Sequence, residues 1–195
     1  MNAPPLRVGI AHHFGWAVAV TASAAFEVVD RRRIELIEPG LPAAPVHHTG
    51  SSHPMHRSGE PLADDALATL VADVRASVAR ATSAALDQLA ASLPGPIGSL
   101  SVRSWPADFP CDISVLRRAP YESRADSVMY CQLLAELAEE RGWTVHRFDA
   151  GRALQRAADV LGDRADAVLD APRTVLGPPW TKDHRVALAA TILAG

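Results

Sequence analysis

Hydrophobic and polar positions divide the first 37 residues into three short strands. Leu6–Ala11 is apolar around Val8 and Ile10 and ends at the polar pair His12-His13, the pattern of a buried strand. Gly15–Ser23 (GWAVAVTAS) is a second apolar run, with His12-His13-Phe14 as the turn between the two. Phe26–Ile37 is interrupted by Asp30-Arg31-Arg32-Arg33, while Ile34 and Leu36 share one side, as in a half-exposed antiparallel strand. From Pro39 to Gly59 the chain is rich in Pro, Gly, Ser and His. A connection of about 20 residues is longer than usual, and residues 39–60 are expected to form a flexible loop.

The pattern then turns helical. Leu67, Leu70, Val71, Val74, Val78, Leu86, Leu89 and Leu93 recur at spacings that build one apolar face. Pro61 suits the first helical position, Asp64 and Asp65 complement the helix dipole, and Pro94-Gly95-Pro96 ends the run. Ile97–Trp105 reads as a fourth strand and Pro106–Pro120 as a loop. Tyr121–Arg141 reads as a second helix with Tyr130, Leu133, Leu134 and Leu137 inward and Gly142 as its stop. Trp143–Phe148 is a fifth strand, Arg152–Leu161 a short helix, and Thr181 is placed to cap a last helix ending near Ala194. Strands joined by short turns pair antiparallel, whereas strands reached through helical crossovers arrive parallel. The expected fold class is therefore α/β: a mixed five-stranded sheet, three antiparallel strands then two parallel, with helices on both faces, in a single domain over residues 1–195.

Composition narrows the setting. A chain of 195 residues with 48% hydrophobic and 21% charged residues suits one globular domain. No apolar run approaches the ~20 residues of a membrane helix, and no basic-then-apolar leader opens the chain, so a cytoplasmic location and no membrane partner are expected. Cys111 and Cys131 are too few for a disulfide framework. A net charge of −3 argues against a generally basic nucleic-acid binder but leaves a local patch open. Phosphate loops, dinucleotide fingerprints and nucleophile elbows are absent from the sequence.

Histidine carries most of the candidate chemistry. His12, His13, His47, His48, His53 and His56 fall in the first 56 residues, and His184 in the first turn of the last helix. His12, His13 and Asp183 form a candidate set for one divalent metal, since imidazole and carboxylate suit several such ions. His13, His48, Asp126 and Asp183 are the candidate catalytic residues, histidine being able to act as acid, base or ligand. Trp180–Arg185 is the densest polar run and contains the only lysine. At a helix start it suits an anion, so Lys182, His184, Arg185 and, from the second helix, Arg124 are the candidate anion-binding residues. Glu122 and Asp126 lie four apart and share a helix face. Nucleic acid, a small anionic ligand and a second copy of the chain stay open as partners.

The element order resembles the ribonuclease H-like superfamily, which includes the RuvC-type junction resolvases. Val8-Gly9-Ile10 and Gly15-Trp16-Ala17-Val18 look like its first hairpin, and Asp183 to Ala189 looks like its final helix. The resemblance implies an aspartate on the first strand and a carboxylate closing the fourth. Here those positions hold Ala11 and the stretch Val102-Arg103-Ser104-Trp105. Nucleases of this type hold two cations about 4 Å apart, and loss of two carboxylates argues against that mechanism. His13, His48, Asp126 with Val128-Met129-Tyr130, and Trp180–Arg185 also resemble a family from GC-rich bacteria that offers no function to transfer. Two readings follow: a binding or assembly module without the acidic two-metal set, or a divergent metal- or histidine-dependent hydrolase or nuclease acting on a phosphoester or other anion.

Overall fold

The computed structural model describes residues 4–194. Strands β1 (Leu6–His12), β2 (Trp16–Ala22), β3 (Val28–Glu35), β4 (Ile97–Arg103) and β5 (Thr144–Phe148) form one sheet in the order β3-β2-β1-β4-β5. The β1–β2 and β2–β3 pairs are antiparallel, and the β1–β4 and β4–β5 pairs are parallel. This is the expected mixed sheet. Its helices are α1 (Asp64–Ser92), α2 (Ile113–Leu116), α3 (Glu122–Glu140), α4 (Ala153–Leu161), α5 (Ala165–Leu169), α6 (Pro172–Leu176) and α7 (Lys182–Ile192). Among the described residues no helix is long and apolar enough to cross a membrane.

Alternation along the strands separates two cores. Val8 and Ile10 of β1, with Leu100 and Val102 of β4, meet Val74, Val78, Leu86 and Leu89 of α1 and Tyr130, Leu133 and Leu134 of α3. On the other face Val18 and Val20 of β2 meet Ala187, Leu188 and Ala190 of α7, with Ala153 and Ala157 of α4. Gly9 faces α7, and a Cβ there would fall 1.8 Å from the carbonyl oxygen of Ala187. The glycine therefore lets the α7 backbone lie directly on the middle of β1.

Several boundaries differ from the sequence reading. The first helix begins at Asp64, three residues after Pro61. Short helices α2, α5 and α6 fall where the apolar pattern is too brief to announce them. Asp30–Arg33 forms the middle of β3 without breaking it. Arg31 donates to the carbonyls of Leu176 (2.8 Å) and Gly177 (2.9 Å) and to that of Pro179, clasping the turn before α7 against the edge strand. Between residues 39 and 59, Pro45–Gly50 makes a single π-helical turn with Val46 and Gly50 buried.

Candidate functional site

The carboxyl ends of β1, β4 and β5 meet the N-termini of α3 and α7 around one cleft. A lobe of about 290 Å³ lies between the first hairpin and α3, and a lobe of about 600 Å³ lies between β1, β4, β5 and α7. His12, His13, Arg103, Ser104 and Arg124 line both. Such a position, beyond the carboxyl ends of the strands, is where open α/β sheets place ligands.

His12 and His13 are neighbours with opposite environments. His12 is the last residue of β1 and follows Val8 and Ile10 toward α3. It is buried, with Nε2 2.8 Å from Ser127 Oγ and Nδ1 3.6 Å from Cys131 Sγ. Burial, then Arg103, then His13 push its pKa down to about 3, so the ring is neutral at physiological pH. Burial likewise pushes the Cys131 thiol up to about 12. His13 lies in the turn, half exposed, and stacks on Trp16 with centroids 4.1 Å apart and planes 13° apart. Its Nε2 is 3.1 Å from Asp183 Oδ2.

Cations outnumber carboxylates in this cleft. Arg103 closes β4, Arg124 sits in the first turn of α3 and Lys182 opens α7, all three exposed. None has a carboxylate within salt-bridge distance among the described residues. The lining carboxylates are Asp183, engaged by His13, and Asp149, which accepts the Gly151 N–H at 2.9 Å and lies 3.8 Å from Arg152. Asp149 was not singled out from the sequence, and its place just past β5 is the signal that would have found it.

The other candidates fall elsewhere. Asp126 faces away from the cleft and accepts the backbone N–H groups of Val46 (3.1 Å) and His47 (2.9 Å). Burial outweighs those bonds and pushes its pKa up to about 6. His48 packs edge-on to Phe14 and beside His47 and lines neither lobe. His184 is buried, and its Nδ1 accepts the Thr181 backbone N–H at 3.2 Å, which closes the start of α7. Burial, then the nearby Arg31, lowers its pKa. Arg185 turns to Asp170 at 3.2 Å, outside the cleft. Thus the structure joins His13 to Asp183 and sets Lys182 and Arg124 in the same cleft, but leaves His48, Asp126, His184 and Arg185 outside it.

Among solved structures the chain is similar to T. thermophilus RuvC in complex with a Holliday junction substrate, with a TM-score of 0.50 and 10% sequence identity over 96% of this chain and 90% of that one. The fold is ribonuclease H-like. No protein-family model and no curated protein matches the chain.

In a ribonuclease H-like nuclease this cleft holds a pair of divalent cations, and the residues present do not fit one. Ala11 has no donor, Arg103 brings positive charge, and His12 is committed to Ser127. Among the described residues no group of three or more His, Cys, Asp or Glu side chains is disposed to hold a metal ion. His12, His13 and Asp183 are therefore not gathered as a ligand set.

Proposed function

We propose that the chain is a binding module of ribonuclease H-like fold, one domain throughout, whose cleft takes a small phosphate-bearing ligand. The observation that carries this reading is the meeting of Arg103, Arg124 and Lys182 on one cleft without carboxylate partners among the described residues. Guanidinium groups suit phosphate because their planar donors bind two oxygens at once. A volume of about 600 Å³ is that of a small-molecule site. The net charge of −3 favours a compact anion over a long nucleic acid, which needs an extended basic surface. Unpaired Cys111 and Cys131 suit a reducing cytoplasm.

Calorimetric titration with inorganic phosphate tests the proposal, with a single-stranded and a duplex DNA oligonucleotide as competitors. Saturable, salt-sensitive phosphate binding that Arg103→Glu and Arg124→Glu each weaken is expected. No phosphate binding, or binding indifferent to both reversals, overturns it. Oligonucleotides that bind through the same arginines far more tightly than phosphate replace the small ligand with nucleic acid, the class of substrate in the T. thermophilus RuvC complex.

A further inference from the structure

His12 and His13 both line the cleft, but only His13 keeps a nitrogen for chemistry. Both ring nitrogens of His12 lie against Ser127 or Cys131. His13 meets Asp183 through Nε2. An ionised carboxylate only accepts, so Nε2 carries the hydrogen and Nδ1 the lone pair. Stacking on Trp16 holds the plane of the ring. The result is an oriented imidazole with a basic nitrogen, in the same cleft as three cations that have no carboxylate partner among the described residues.

We infer that His13, positioned by Asp183 and Trp16, is a general base and that the cleft hydrolyses a phosphate monoester without a divalent cation. This rests on the anion-binding reading above. A terminal phosphate carries about two negative charges near neutral pH, twice that of a diester, and Arg103, Arg124 and Lys182 match that dianion. In two-metal hydrolysis the ions neutralise the transferring group and supply the nucleophile. Here the guanidinium and ammonium groups take the first task and His13 the second. An O–H bond of water breaks and its proton passes to Nδ1 of His13. The water oxygen bonds to phosphorus as the bond to the ester oxygen breaks. Lys182 protonates the leaving oxygen and regains a proton from His13 through solvent. Ester and water thus become alcohol and inorganic phosphate, and the protein returns to its starting state.

The test uses the full chain with p-nitrophenyl phosphate in EDTA, with calorimetric binding of inorganic phosphate measured on the same samples. Expected is EDTA-resistant turnover whose kcat falls about 10²-fold or more in His13→Ala while phosphate still binds, with partial recovery on adding imidazole. Asp183→Asn lowers kcat and shifts its pH profile while KM stays within about twofold, and it decides the matter if His13→Ala does not fold. Phosphate binding without turnover, turnover unchanged by the substitutions, or turnover stopped by EDTA overturns the inference and leaves the binding module standing. Failure of the native chain to bind phosphate overturns both.

Discussion

The cleft and the turn at residues 45–56 both set histidines beside carboxylates, and they differ in what burial does to the charges. In the cleft, His13 and Asp183 are half exposed and three cations face solvent without partners among the described residues. In the turn, carboxylates are buried: Asp126 holds the Val46 and His47 N–H groups, and Glu122 lies 3.4 Å from His56 Nδ1. Among the described residues, Glu122 Oε2 and His47 Nδ1 have no hydrogen-bond partner. Burial raises the Asp126 pKa and lowers that of His47. Histidine density therefore does not mark the place best suited to a ligand. Uncompensated charge facing an open cavity does, because an incoming anion completes it without stripping water from a buried ion.

The contrast is sharpest under charge reversal. Arg103→Glu combined with Arg124→Glu is expected to weaken phosphate binding by at least about 10²-fold, since each change removes a charge-assisted bond and adds a repulsion, with little change in thermal stability. Calorimetry and thermal unfolding of the same sample check both halves. Asp126→Asn should do the reverse. The amide presents one acceptor to two backbone donors, so one buried N–H loses its partner at a cost of about 1–3 kcal/mol, partly offset near neutral pH because the amide carries no buried charge. Denaturant unfolding reads the net loss, with phosphate affinity within about twofold of the native chain. Equal losses of affinity from both sets of substitutions would merge the two regions into one site.

Protonation separates them more finely. His12 resists a proton that the unfolded chain accepts near 6.5, because its folded value is about 3. Its contribution to stability is full above pH 6.5 and is lost as the pH falls from there toward 3. Asp126 acts in the opposite sense: its folded value is about 6 against 3.8, so its contribution is full below pH 3.8 and is lost as the pH rises through 6. His12→Gln should remove about 1–2 kcal/mol of the stability difference between pH 7.5 and pH 5. Denaturant unfolding at the two pH values measures it, and an unchanged slope counts against a buried neutral His12. The smallest effect is expected at Arg185, whose partner Asp170 lies outside the cleft and is itself exposed. Arg185→Ala should leave phosphate affinity within about twofold and stability within about 0.5 kcal/mol; a larger loss of affinity would extend the cleft around the start of α7.

Much of the architecture was legible before the structure because it is written in local periodicity. The apolar face of α1 runs through Leu67, Val74, Val78, Leu86 and Leu89, all buried as their spacing requires. The order of strands and crossovers leads to the antiparallel-then-parallel sheet. The site was legible only in part. Ala11 and Arg103 could be recognised as departures from an acidic pattern, and Asp183 as a residue near the ligand-facing edge. Asp126 could not be separated from them, since a carboxylate that binds ligand and one that holds a buried turn look alike in sequence. Its two backbone partners are about 80 residues away along the chain.

Sequence alone determined the strands, the long helices and the absence of a carboxylate at position 11, because each depends on residue identity and on neighbours a few positions apart. Tertiary structure decided which of two adjacent histidines is buried, since His12 belongs to β1 and points into a packed face while His13 has left the strand. It also decided that Arg103, Arg124 and Lys182 share one cleft. Their meeting depends on parallel pairing that aligns the ends of β1, β4 and β5, and on Gly9 letting α7 rest on the sheet. Both are contacts between residues far apart in the chain, which local pattern does not encode.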